Sequence, residues 1–278
     1  MNKNSFKERI NKLLRIDRRW LFLFLTLSIL IPIVKPLGIL SKSVSPYVKS
    51  IYDFIESLPE GSVIMLSLDY DPSTAPELHP QAAAIMKHAF KKNLKIIVIT
   101  FVAGSGGLIE ELVKTIPPKY AKEYGKDIVV LPYMPNVLAA MTQMSSNIHA
   151  FYTTDKDGRD LNEFEMMKRI KNYRDISGVI CITGTALLDY WMVYVGDKYG
   201  VPVMGGVTSI SQVGYGPYLQ KGQLKGLIGG MKGASEYENL ISERWKGTSG
   251  IDALNIAQLL VIFFIVMSNI VILILKFI

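Results

Sequence analysis

The sequence predicts an α/β fold, a three-layer sandwich on a mainly parallel five-stranded sheet, with one transmembrane helix at each end. Three observations carry this. Apolar stretches of membrane-crossing character lie near both termini, at residues 20–40 and 256–275. Between them, apolar runs of strand length alternate with amphipathic runs of helical length. The strand-length runs are apolar on both faces, the pattern of strands covered by helices above and below.

Residues 1–19 form a basic segment. Lys3, Lys7, Arg9, Lys12, Arg15, Arg18 and Arg19 stand there against Glu8 and Asp17 alone. They supply most of the chain's net charge of +7, which makes the charge juxtamembrane. The middle of the chain has no basic stripe interleaved with aromatics, which argues against nucleic acid as a partner. Residues 20–34 then run 15 residues without a charge, Lys35-Pro36 interrupts, and residues 37–40 resume the apolar run. No small-x-small cleavage site or lipobox cysteine follows, so the stretch reads as an uncleaved signal-anchor. The positive-inside rule places the N-terminus in the cytoplasm and the domain outside. Lys35, Lys42 and Lys49 on the far flank weaken that asymmetry without reversing it.

Residues 41–61 link the anchor to the domain through a short amphipathic helix, with Tyr47, Ile51, Phe54, Ile55 and Leu58 near helical spacing. The α/β domain spans residues 62–241. Its five strands are read at residues 62–68, 95–101, 127–133, 178–183 and 201–207. Helices are expected at residues 76–92, 107–123 (broken by Pro117-Pro118), 136–150 with Asn136 as N-cap, 161–173 and 185–199. A last helix is expected from Pro217 towards Ile241. Right-handed crossovers between such strands give a flavodoxin-like or Rossmann-like sandwich, the strand order staying open. A linker at residues 242–254 leads to the second transmembrane helix, residues 255–276. Its apolar core of 20 residues is about 30 Å long. Ser268 and Asn269 interrupt it, and Asn269 either bonds a neighbouring helix or is merely tolerated near the interface.

In parallel α/β sheets ligands bind beyond the carboxyl ends of the strands, which selects Asp69, Asp71, Gly104, Ser105, Gly106, Asn136, Thr183, Thr185 and Ser209. Asp69 and Asp71 can hold a cation or share a proton; alternatively one caps the following helix and the other is solvated. The run Gly104-Ser105-Gly106-Gly107 offers backbone amides to an anion, or is a turn. It lacks the lysine of a P-loop, the dinucleotide glycine spacing and the G-x-S-x-G turn of a hydrolase. His79, His88 and His149 lack zinc-site spacing, so no metal site is assigned, and no catalytic residue or cofactor is identified. Cys181, the single cysteine, sits in an apolar run and reads as a buried small hydrophobe.

Gly222, Gly226, Gly229, Gly230 and Gly233 fall at helical spacing in the last predicted helix. They point to close packing, on the sheet or against a second copy of the chain.

The stretches LSLDYDPSTAPELHPQA, KNYRDISGV and PYLQKGQLKGLIGGMKGASEYE resemble, as a set, a group of uncharacterised bacterial membrane-anchored proteins. That group carries a D-Y-D-P start and a Gly-rich YLxxGQLxGLxGGxKGAxEYE end. The resemblance implies a membrane-anchored domain and no particular reaction. Together these readings lead to a binding or scaffold subunit of a membrane complex. Its partners are the bilayer and either another membrane protein or copies of itself. The alternative is a membrane-bound hydrolase or transferase acting on a phosphorylated or carboxylated small molecule.

Overall fold

A computed structural model describes residues 17–38 and 43–277; the basic residues 1–16, residues 39–42 and residue 278 lie outside the described residues. The chain divides into two compact units, one of Ser43–Gly247 and one holding both apolar helices.

In the first unit, six strands form one parallel sheet: β1 (Val63–Asp69), β2 (Lys95–Ile99), β3 (Ile128–Val130), β4 (Gly178–Thr183), β5 (Val203–Val207) and β6 (Leu227–Gly229). Their order is 3-2-1-4-5-6. That is the doubly wound Rossmann order, and it excludes the flavodoxin order 2-1-3-4-5. The strand order reverses between β1 and β4, where Asp69 lies opposite Thr183 at the carboxyl edge.

Helices cover both faces. Helix α1 (Arg18–Val34) is the N-terminal apolar helix of the second unit. Helix α2 (Pro46–Ser57) buries Val48, Ile51 and Ile55 and so packs on the domain. It shares one sheet face with α3 (Ala75–Lys91), α4 (Gly106–Thr115) and α9 (Gly230–Leu240), around Ile64, Leu66, Leu68, Ile180 and Met204. The other face carries α5 (Val137–Met144), α6 (Ile148–Phe151) and α7 (Leu187–Trp191). Their core gathers Met65, Ile97, Val129, Cys181 and the fully buried Trp191. Helix α7 continues as a π turn over Met192–Asp197, and α8 (Gly216–Gln220) follows β5.

Three sequence expectations are corrected. The sheet has six strands rather than five, because the run predicted as one helix from Pro217 to Ile241 divides into α8, β6 and α9. The five glycines therefore share no helix face. Gly222 turns with φ +71°, Gly226 precedes β6, Gly229 ends it, Gly230 opens α9 with φ +58°, and Gly233 lies on α9 against Ile228. Glycine's helix penalty of about 1 kcal/mol per residue was a signal against helix that the spacing outweighed. The helix expected at residues 161–173 is instead three 3₁₀ turns, Leu161–Glu163, Met167–Arg169 and Tyr173–Asp175. Asp160 and Asn172 side chains accept backbone N–H groups there, competing with helix continuation. The expected helix at 136–150 is likewise two, each with an asparagine N-cap, Asn136 and Asn147.

Gly226 sits where the backbone of β6 approaches α2. A Cβ there would lie 2.6 Å from Ile51 Cγ1 and 2.9 Å from the Tyr47 carbonyl. Gly226→Leu is therefore expected to destabilise the fold by several kcal/mol, as overpacking and backbone displacement combine. A thermal melt should show a large drop in midpoint; a well-folded variant altered only in assembly would contradict this placement.

Helix α10 (Lys246–Phe277) is 32 residues long; its first two residues, Lys246 and Gly247, belong to the first unit and the rest to the second. It takes in most of the stretch expected to be a linker. Its 31-residue segment Lys246–Lys276 has a mean hydropathy of 2.8 over its most apolar window, with only 6% of that window buried. Among the described residues it alone is long and apolar enough to cross a membrane. Helix α1 has 17 residues, about 25 Å, and opens on two arginines. It falls short of the roughly 30 Å hydrocarbon core.

Candidate strand-end site

Asp69 closes β1 with its side chain fully buried on the α7 face. One carboxylate oxygen accepts the Phe101 N–H at 2.7 Å and faces the Thr100 hydroxyl at 3.5 Å. The other accepts from Ser67 Oγ, with Cys181 Sγ at 3.7 Å. Ser67 Oγ accepts in turn from the Trp191 indole N–H at 3.0 Å. The carboxylate thus fastens the carboxyl ends of β1, β2 and β4. Burial raises its pKa to about 6 against those hydrogen bonds. Burial also raises the Cys181 thiol well above its usual range, with the nearby Asp69 charge adding to it.

Asp71 does not join Asp69. It sits in the turn before α3, where Oδ1 accepts from the backbone N–H of Ser73 at 2.9 Å and from its hydroxyl. Those bonds hold its pKa below the usual value. Gly104 belongs to the 3₁₀ turn Ala103–Ser105 and approaches Asp71 closely: a Cβ added to the glycine would lie 3.1 Å from Asp71 Cβ. The Ser105 hydroxyl is buried and donates to the Tyr70 carbonyl at 2.8 Å. Gly106 starts α4. Asp69 and Asp71 thus do not share a site: the first is buried beneath the strand ends, and the second lies in the turn beside Gly104.

An open cleft at the strand ends lies elsewhere. A volume of about 590 Å³ opens between the start of α5 and the start of α7, lined by Asn136, Leu138, Thr185, Ala186 and Tyr190 among others. A second hollow of about 370 Å³ adjoins it across Thr185 and Ala186, towards Asp189, Ser211 and Tyr218. Thr183 supports this ground from below. Its hydroxyl donates to the Asp69 carbonyl at 3.2 Å and accepts the Thr185 N–H at 2.9 Å. Asn136 is the N-cap expected, accepting from Ala139 N at 3.1 Å. Ser209 is committed elsewhere: its N–H and hydroxyl reach Glu77 at 2.8 and 2.6 Å. Of the nine residues selected by strand-end position, Asn136 and Thr185 line this cleft.

Leu138, Ala186 and Tyr190 were missed because only the fold brings two helix starts together. Side chains such as these carry no motif. Around the same carboxyl edge, Ile210 and Val213 are 89% and 84% exposed. The histidines hold internal bonds. Tyr237, its phenol pKa raised by burial, donates to His88 Nδ1 at 2.7 Å, and His88 Nε2 donates to Glu56 at 3.0 Å. His149 Nε2 lies 3.0 Å from two backbone carbonyls. Among the described residues no group of three His, Cys, Asp or Glu side chains is placed to hold a metal ion.

Fold and site together define a doubly wound α/β domain with a shallow strand-end cleft, accompanied among the described residues by one membrane-length helix. No protein-family model matches the chain, and no curated protein is similar to it.

Proposed function

We propose that this chain is a membrane-anchored binding or scaffold subunit of a membrane complex, with its α/β domain outside the membrane and both termini in the cytoplasm. One observation carries the reading: Asp69, Asp71 and Ser105, the candidates for chemistry, lie apart from the apolar side chains suited to contact. Asp69, Asp71 and Ser105 are spent on bonds that shape the strand ends. The open cleft and its surroundings instead present Leu138, Tyr190, Ile210 and Val213, apolar side chains left in water. Apolar surface of this kind marks interaction sites.

The anchoring rests on α10, whose length and composition suit a bilayer. Helix α1 is too short to cross unaided, yet it is tied to α10. Asp252, in the second turn of α10, accepts the backbone N–H groups of Leu37 and Gly38 at 2.8 and 2.6 Å. That link favours α1 sharing the bilayer with α10, with local thinning or tilted flanks absorbing the mismatch. The basic N-terminal segment then lies on the cytoplasmic surface. The partner at the cleft is another membrane protein or a second copy of the chain.

Site-specific photocrosslinking in native membranes tests this. A crosslinker at Leu138 or Val213 should trap one species of defined size, while one at exposed Lys126, before β3 at the opposite sheet edge, should not. Equal trapping from Lys126, or none from the cleft positions, would overturn the reading.

A further inference from the structure

On the opposite face of the sheet from the strand-end cleft, a separate cavity of about 330 Å³ opens beside the first turns of α3 and α4. Pro76, Pro80 and Leu108 give it an apolar wall, and His79, Glu111 and Lys246 are its polar side chains. His79 is 4% exposed. Its Nδ1 lies 3.1 Å from the Tyr70 hydroxyl. Burial pushes the Tyr70 phenol far up, so the phenol keeps its proton and donates it to Nδ1. The imidazole hydrogen therefore sits on Nε2. Burial also lowers the pKa of His79, overcoming the pull of Glu111, so the ring is neutral at neutral pH.

Nε2–H has no hydrogen-bond partner. Glu111 Oε1 is 3.6 Å away, too long for a direct bond. Glu111 is engaged by Lys246 at 3.1 Å, a pairing that holds its carboxyl below the usual range. The cavity thus combines an unmet buried donor, a carboxylate and an ammonium, with no net charge. A buried donor left unpaired is unfavourable, and a bridging group that accepts from it and donates to Glu111 removes the deficit.

We propose that this cavity binds a small neutral molecule whose polar head both accepts and donates hydrogen bonds, a primary carboxamide or an alcohol on a compact apolar body. The head's oxygen accepts from His79 Nε2–H, and its N–H or O–H donates to Glu111. The apolar body rests on Pro76, Pro80 and Leu108. A carboxylate head meets Glu111 and an ammonium head meets Lys246 and Nε2–H, so both are rejected by like charge or by donor facing donor. This site is separate from the strand-end cleft, and its failure leaves the scaffold reading standing.

The test is benzamide titrated into the full-length protein in mild detergent, with ¹⁵N-labelled histidine. The chain has 3 histidines, so each ring can be followed. Benzamide should shift the His79 Nε2 resonance saturably in the millimolar range, with His88 and His149 unmoved. Benzoate and benzylamine should bind at least tenfold more weakly. Glu111→Gln should narrow or invert the preference for benzamide over benzoate, because the repelling carboxylate is gone and Lys246 remains. Leu108→Phe should fill the cavity and weaken benzamide at least tenfold, with unchanged His88 and His149 signals reporting an intact fold. Absence of a saturable shift would mean the cavity holds solvent only and would overturn the proposal. So would equal binding of benzoate, or an unchanged preference in Glu111→Gln.

Discussion

Asp69→Asn is expected to stabilise the domain relative to the parent chain at pH 7 more than at pH 4. The carboxyl's pKa is raised by burial from 3.8 to about 6 in the folded state. A raised acid pKa means that the folded state holds its proton more tightly than the unfolded state does. Stability from this group is thus fully present below about pH 4 and is lost as pH rises through about 6. The interval corresponds to about 3 kcal/mol. Asparagine cannot ionise, so the difference between the two proteins should grow by up to that amount across the window. The amide also loses one acceptor towards Ser67, a constant offset that leaves the slope unchanged. Thermal melts of both proteins at a series of pH values check this. A difference that stays flat between pH 4 and 7 would show that the carboxylate is not desolvated as described. Asp69→Ala would be harsher at every pH, because the Phe101 N–H and the Ser67 hydroxyl would lose their acceptor in a closed interior.

Ile265→Arg is expected to impair insertion of α10 strongly. Ile265 is exposed near the middle of the apolar helix. A central arginine costs about 2.5–3.5 kcal/mol on insertion scales, roughly two orders of magnitude in the partition. Ile265→Leu should be neutral. Alkaline carbonate extraction and the accessibility of the C-terminus should both change in the arginine variant. If both stay as in the parent chain, α10 is not buried in lipid at that point.

Much of the architecture was legible in the chain. Continuous apolar runs such as KIIVITF and GVICIT marked parallel strands, because both faces are buried. Asn136 was legible as an N-cap because capping is a local property of the side chain and the amides that follow it. What was not legible came from three-dimensional context. Strand β6 has only 3 residues, Leu227–Gly229, inside a glycine pattern that mimicked a helix face. Its strand conformation is imposed by pairing with β5. Asp69 and Asp71, two residues apart, invited a joint role. Strand alternation instead turned Asp69 into the core, while Asp71 fell in the next turn. The cavity at His79 joins residues from two helices and the chain beyond α9, which no spacing rule links.

The proposed crossing of the bilayer by α10 underlies both the proposed anchoring and the proposed placement of the α/β domain. Cysteine accessibility measures that crossing directly. In a Cys181→Ser background, Asp197→Cys reports on the α/β domain and Ile278→Cys on the C-terminus. A membrane-impermeant maleimide applied to intact cells should label position 197 at once and position 278 only after the membrane is permeabilised. Labelling of both positions, or of neither, before permeabilisation would place the two ends of α10 on the same side and contradict a membrane-spanning α10.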